Sequence, residues 1–446
     1  MASTWRALKP RRKIPFIQRN PAAGNLNMEP SIPTHFRCPI SLDLMRDPVT
    51  VSTGITYDRQ SIETWFELGR QTCPVTYKVL TTEDLIPNHS LRRMIQDWCA
   101  SNRSSGIERI PTPRIPVAPT QVSEPLSEIA SASARGDHVR CQELVAKIKA
   151  LGRESERNRR CIISGGAVHI LSASFSELAA GSFDSSTSGV LEELLSALTA
   201  FSPLDKEAHR HIGSPESLKS LVSILKCGDL AGRLNAALML KDLVSSLDID
   251  RVNLVAETYG LIEALVKLIE QPVSPQATKA SLVATFYLVS SSEITATKFA
   301  EMGLVSLLLE ILVDSDKSMV EKALAVLDGV LNCKKGRETA YDHSLAMPVL
   351  VKKLLRVSDM ATEFAVSALW KLCKNCKQER GEIAGEECLV ETLQVGAFQK
   401  LLLLLQVGCS GATKVKASDL LKLLNGARRM GDCIGTADFR GLKRSF

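Results

Sequence analysis

From about residue 126 to 432, apolar residues return at i, i+3, i+4 and i+7, the period of amphipathic helices. One phrase recurs there. A small residue opens an apolar helical run, a turn follows, and a second amphipathic helix completes the unit. The phrase starts at Gly166, Ser214, Gly260, Gly303, Ser344 and Gly396, at intervals of 41 to 52 residues. Long second helices are expected over 234–245, 279–290, 320–331 and 363–373, and Gly426, Arg428, Arg429 and Gly431 mark the end of the last one. A period of about 40–47 residues is that of stacked helical repeats. Each unit cannot cover its own apolar face, so stacking buries it and leaves an elongated superhelix with a concave groove suited to a peptide or protein.

The pattern over 32–105 is different. Residues 48–52 and 55–57 read as two short strands joined through Thr53 and Gly54. Asp58 is placed to cap a helix over 59–68 that stops at Gly69. Ile62 and Phe66, four apart, are its expected buried pair, which leaves Trp65 to border a groove. Leu91, Met94, Ile95 and Trp98 form a second amphipathic helix that packs back. Residues 106–125 carry Pro111, Pro113, Pro116, Pro119 and Pro125 without apolar periodicity and read as an extended linker. Residues 1–31 read as a basic disordered tail and 433–446 as a C-terminal tail.

Charge sharpens this division. The chain of 446 residues has a net charge of +6. Residues 1–31 hold Arg6, Lys9, Arg11, Arg12, Lys13 and Arg19 against Glu29, so nearly all of the excess sits in the tail. A broadly basic nucleic-acid surface is therefore not expected. The N-terminus has no apolar core of a secretory signal, and no run is long enough for a membrane span, so no integral membrane contact is expected. Twelve scattered cysteines suit buried free thiols in a reducing compartment. The expected location is cytoplasmic, with a nuclear one left open by Arg11, Arg12 and Lys13.

The chemistry lies in 33–98. Phe36, Cys38, Pro39 and Ile40 are followed by Asp47, Pro48 and Val49, then Gly54, Thr56, Tyr57, Asp58 and Arg59, then Cys73, Pro74, Pro87, Asn88 and Trp98. The layout of loop, hairpin, helix and loop is that of a RING finger. Holding two zinc ions takes about eight Cys or His ligands in paired spacing. This stretch offers only Cys38, Cys73, Cys99, His35 and His89, with no CxxC, so neither metal nor cofactor is expected. A metal-free cross-brace of this shape resembles a U-box, and with the repeats the chain resembles the plant U-box/armadillo ubiquitin ligases over residues 32–430. The expected fold is mainly α: a small α+β, zinc-free RING-like U-box, then a right-handed armadillo-type α-solenoid.

The resemblance implies a function. The U-box would accept an E2 ubiquitin-conjugating enzyme carrying ubiquitin, and the solenoid groove a protein substrate; self-association stays open. By position in the motif the E2-binding residues are Ile40 and Leu42 of the first loop, Trp65 of the helix and Pro74 of the second loop. No residue is a covalent nucleophile. Some U-boxes carry an arginine three residues after the proline of the second loop, which clamps the E2–ubiquitin pair; here Tyr77 holds that place with Lys78 next to it, and neither is a planar fork. In place of zinc, Ser41, Asp43, Asp47, Asp58, Arg59, Glu63 and Asn88 are the candidate polar network. The rival reading is a non-catalytic armadillo scaffold with an inactive U-box. A nuclear-transport adaptor is disfavoured, because Lys374 stands where peptide-binding armadillo proteins place an asparagine after Trp370. Stress or defence signalling is the setting the resemblance suggests.

Three further signals read as bland. Cys373 and Cys376 form a CxxC without a second pair. His209 and His211 read as a solvent loop pair without partners, and Trp370 as a core residue.

Overall fold

In a computed structural model, the structure describes residues 32–80, 85–110, 117, 119–181 and 185–434. The basic tail, most of the proline cluster at 111–116 and the tail beyond 434 lie outside them. The contacts divide the chain into one unit up to residue 115 and another from residue 116.

The N-terminal unit is built on three short strands. β1 (Pro48–Thr50) lies between β2 (Thr56–Asp58) and β3 (Ile86–Pro87), antiparallel to both, with Val49 opposite Tyr57 and Pro87. The third strand was not expected: two residues carry no alternation, and a proline is accepted there because the strand is an edge. α1 (Arg59–Glu67) and α2 (His89–Ser101) follow β2 and β3. Phe36, Met45, Val49, Tyr57, Ile62 and Ile95 form the buried core.

Two helix faces differ from expectation. Phe66 is only half-buried and packs at the edge of the core, so Ile62 is the one fully buried side chain of α1. On α2, Met94 is 53% exposed, and Arg92, Ile95 and Cys99 take the inner face. The spacing of three and four is kept, but a polar network draws Arg92 inward. The core also reaches past residue 105: Ile110 is buried, and its carbonyl accepts from Gln96 Nε2 at 3.3 Å.

The C-terminal unit begins with α3 (Pro119–Ala134), inside the stretch expected to be extended linker, and α4 (His138–Glu154). Pro125 lies within α3. An interior proline costs about 3 kcal/mol. Burying Val122, Leu126 and Ile129 contributes about 1.5–3 kcal/mol each, so packing overrides the local preference.

Six three-helix repeats follow. They are α5 (Glu156–Ser164), α6 (Ala167–Ala179) and α7 (Ser185–Ala200); α8 (Lys206–Ile212), α9 (Pro215–Cys227) and α10 (Leu230–Ser246); α11 (Ile249–Ala256), α12 (Leu261–Glu270) and α13 (Pro275–Ser291). Then come α14 (Glu293–Glu301), α15 (Leu304–Val313) and α16 (Lys317–Val330); α17 (Lys334–Tyr341), α18 (Ala346–Lys353) and α19 (Asp359–Arg380); α20 (Glu382–Gln394), α21 (Ala397–Val407) and α22 (Gly411–Ile434). The short first helix of each repeat is absent from the two-helix phrase of the sequence, because seven to thirteen residues give too few turns for a clear period. The small residue that opens the phrase is the joint. Gly166, Gly260, Gly303 and Gly396 sit at φ 83°, 77°, 79° and 85° at the start of a second helix, a left-handed backbone that a Cβ disfavours. The last helix runs through Gly426 to Ile434 rather than stopping near it.

α4 and the third helices of the repeats form a ladder in which each packs on the next, from α4 through α7, α10, α13, α16 and α19 to α22. Alanines such as Ala236, Ala280, Ala323 and Ala365 are buried along it, and small side chains let helix axes approach closely. Among the described residues, no single helix is long and apolar enough to cross a membrane.

Candidate functional site

The two loops of the N-terminal unit have one design. Cys38, Pro39, Ile40, Ser41, Leu42 and Asp43 match Cys73, Pro74, Val75, Thr76, Tyr77 and Lys78 residue for residue. In the first, the Cys38 amide donates to the Asp43 carbonyl and the Leu42 amide to the Cys38 carbonyl, each at 2.8 Å. In the second, the Cys73 amide donates to the Lys78 carbonyl at 2.7 Å and the Tyr77 amide to the Cys73 carbonyl at 2.8 Å. Each loop is closed at its base by an isolated antiparallel bridge, Arg37 to Leu44 and Thr72 to Val79.

Sulfur is the acceptor at the heart of each loop. Cys38 Sγ accepts from the Asp58 amide at 3.3 Å. Cys73 Sγ accepts from Thr53 Oγ1 at 3.3 Å and the Thr76 amide at 3.4 Å, and the Tyr57 hydroxyl lies 3.0 Å away. Burial would push the Cys73 thiol up, but the hydroxyl and amide donors outweigh it and bring it down to about 6. Burial, first, and then the contact with Cys73 push the Tyr57 phenol well above its ordinary range. These sulfur contacts were missed in the sequence, where both cysteines counted only as too few metal ligands.

Asp47 ties the helices to the strands. Its Oδ2 accepts from Arg59 Nε at 2.7 Å, its Oδ1 from Arg92 Nη2, and its carbonyl from the Arg59 amide at 2.9 Å. Glu63 lies 4.0 Å from Arg59. Asn88 caps α2 through Oδ1, which accepts from the Leu91 amide at 2.9 Å. Its Nδ2 donates to Thr50 Oγ1 at 3.3 Å and Thr56 Oγ1 at 3.5 Å. Asp58 does not cap α1 with its side chain. Oδ1 instead accepts from the Arg46 and Asp47 amides at 2.8 and 2.9 Å, because the chain leaving the first loop has unmet donors within its reach. Ser41 Oγ accepts from the Asp43 amide at 3.4 Å, while Asp43 enters through its main-chain carbonyl. Arg92 is the member that sequence reasoning left out.

The apolar side chains lie on the loops and on α1. Ile40, Trp65 and Pro74 are half-buried, and Ile40 and Trp65 pack on the core. Trp65 Nε1 donates to the Thr72 carbonyl at 2.8 Å, and the Arg70 guanidinium lies 4.3 Å from the ring centroid. Leu42 is 67% exposed and Tyr77 80%, with the Tyr77 ring free of the core. Val75, the counterpart of Ile40, is 48% exposed; the internal repeat of the loops points to it, but single-motif reading does not.

In the solenoid, His209 and His211 lie on α8, not in a loop. Four residues bring Glu207 and His211 to one face. His209 Nε2 is 3.2 Å from Asp242 Oδ2. His211 joins His169 and Glu207, whose ligand atoms lie within 4.8 Å of one another. Cys373, Cys376 and Cys388 are buried between α19 and α20; contact with Cys373 and burial push the Cys388 thiol up to about 12. Trp370 is half-buried, packs against the solenoid core with one side, and borders a cavity of about 560 Å³.

Comparison with known proteins agrees with this division. The family model for the U-box domain matches residues 32–104, and that for the plant U-box protein ARM repeat region matches 121–443. U-box domain-containing protein 21 of Arabidopsis thaliana is 43% identical over the whole of both chains. The E3 ubiquitin-protein ligase PUB23 of the same plant is 35% identical, over 90% of this chain and 95% of its own. Among solved structures, an engineered protein at 16% identity aligns with a TM-score of 0.51 over 77% of this chain and 76% of its own, a likeness of fold alone. With both models matched and a relative 43% identical along its whole length, this chain belongs to the family of plant U-box proteins with ARM repeats.

Proposed function

We propose that this chain is an E3 ubiquitin-protein ligase whose U-box docks an E2 carrying ubiquitin and whose solenoid holds the protein that receives it. The observation that carries the reading is the pair of matched loops. They present Ile40, Leu42, Pro74 and Val75 beside Trp65 on a frame fixed by Asp47 and two sulfurs. Two loops and a helix bearing aliphatic and aromatic anchors suit a small protein interface, in which a few such residues carry most of the energy. The relatives named as ubiquitin ligases support the same reading.

The chemistry needs no nucleophile from this chain. An acceptor lysine amine attacks the thioester carbonyl of E2-bound ubiquitin, an isopeptide bond forms, and the E2 thiolate leaves. The ligase contributes proximity and restricts the thioester to reactive geometry. Burial of the U-box thiols supports this: Cys38, Cys73 and Cys99 are fully buried, so even the lowered thiol of Cys73 has no access to a thioester. Tyr77 and Lys78, exposed at the end of the second loop, are proposed to border the E2–ubiquitin pair. A reducing compartment belongs to the reading, since both loop sulfurs act as thiol-type acceptors.

A second reading, a scaffold with an inactive U-box, is favoured by Tyr77, which cannot form the planar fork of an arginine. Reconstitution with E1, a panel of E2 enzymes, ubiquitin and ATP separates the two. Discharge of E2–ubiquitin to free lysine is expected with at least one E2; folded protein inactive across the panel makes the scaffold the better account.

A further inference from the structure

The cavity beside Trp370 has an apolar wall and a cationic rim. It is lined from α19, α20 and α22, with Trp370, Leu389 and Leu423 as its large apolar side chains. Lys374, Lys377 and Lys422 line it together with a single acid, Asp419. Lys374 Nζ lies 4.4 Å from the Trp370 ring centroid and Lys416 Nζ 5.8 Å, the latter also donating to Ser367 Oγ at 2.7 Å. Lys377 pairs with Glu386 and Lys422 with Asp419, each at 3.2 Å. Lys377 and Lys422 are thus each matched by a carboxylate, while Lys374 on the wall and Lys416 at the edge of the indole carry the positive excess.

We propose that this pocket selects an acidic partner segment: one aromatic or branched aliphatic side chain enters beside Trp370, and flanking aspartates or glutamates meet Lys374, Lys416 and Lys422. The inference rests on the reading of the solenoid as the substrate-holding element and names the chemistry that element selects. The argument is complementarity. A cluster of lysines around a low-dielectric wall favours carboxylates and disfavours cations. A buried apolar anchor supplies the affinity that surface charge alone does not. The chain's own residues 435–446 make a poor occupant, since they carry Arg440, Lys443 and Arg444 against Asp438.

The test uses the full-length chain and fluorescein-labelled peptides read by anisotropy. One has a central phenylalanine between runs of aspartate and glutamate; the second has alanine at the centre; the third has lysines in place of the acids. The first is expected to bind about tenfold or more tightly than either of the others. Lys374→Glu with Lys422→Glu, both exposed positions, is expected to weaken the acidic peptide about tenfold or more and to improve the lysine peptide. Three results overturn the proposal: no binding of the acidic peptide, equal binding of the alanine form, or indifference to the charge reversal. Binding that emerges only after deletion of residues 435–446 also overturns it and assigns the pocket to the tail. E2–ubiquitin discharge to free lysine is measured in the same variants and should not change. Its absence in the parent chain would count against the ligase reading and not against the pocket.

Discussion

Leu42 and Tyr77 occupy the same left-handed backbone position in two copies of one loop, at φ 62° and 58°. A non-glycine residue is rare there, and a bulky one costs about 1–3 kcal/mol, which the surrounding loop must overcome. Here two tight backbone hydrogen bonds per loop and a buried sulfur acceptor hold the conformation. The result turns a large side chain outward from each loop, and that is the geometry a docking surface needs.

Ile40 and Val75 are therefore expected to act as a pair. Ile40→Ala and Val75→Ala should each weaken E2 binding by about 1–2 kcal/mol, with little loss of stability for the more exposed Val75. Titration of a labelled E2 and thermal melts on the same samples check this. A melt that drops sharply while E2 affinity holds would assign the residue to the core.

Trp65 should separate into two effects. Trp65→Phe keeps most of the apolar surface but loses the bond to the Thr72 carbonyl, so a stability loss of about 0.5–1.5 kcal/mol is expected with E2 binding largely kept. Trp65→Ala should lose both.

The overall fold was largely legible in the sequence, and the reasons are local. Helical periodicity and the glycine joints located the second and third helices, because burial of one face imposes a period that propensity does not hide. The short first helices, the edge strand Ile86–Pro87 and the start of α3 were not legible. Each is stabilised by packing on a neighbour distant in sequence. At the site, the residue types of the polar network were readable but not their pairing. Asp58 illustrates this: its position before a helix suggests a cap, yet its acceptor is used by amides on the exit of the first loop. Arg92 was hidden because an arginine on an amphipathic helix ordinarily points outward.

Asp47 should be the most sensitive polar residue of the unit. Asp47→Ala leaves Arg59 and the largely buried Arg92 without their shared carboxylate. Removing one partner of a buried pair costs about 3–5 kcal/mol, and partial exposure here lowers the expectation to about 2–3 kcal/mol. Chemical denaturation monitored by Trp65 and Trp98 fluorescence measures it.

Gly385 should reject a methyl group. A Cβ there would meet Lys377 Cα at 2.6 Å and its nitrogen at 2.8 Å, main-chain atoms of α19 that cannot swing away. Alanine gains about 1 kcal/mol of helix preference, but overpacking costs about 1–3 kcal/mol. Gly385→Ala is expected to be net destabilising for the last repeats, with hydrogen exchange rising in α20 and α22 while α6 to α13 stay protected.

Cys73 should make the N-terminal unit more stable as pH rises from about 6 toward 9. Its thiol is held at about 6 in the folded state, below the ordinary 9.0 that an unfolded chain restores. Between those values the unfolded state binds the proton and the folded state does not, so stability increases with pH across the window. The contribution is fully present above the unfolded value and is lost as pH falls through about 6. Thr53→Val removes a hydroxyl donor to the sulfur, and should raise the thiol and flatten the slope. Cys73→Ala should abolish it, along with some stability at every pH from the lost packing. Melts of the parent and both variants from pH 6 to 9 decide the matter. A slope in the parent that survives unchanged in Cys73→Ala would show that another group carries it.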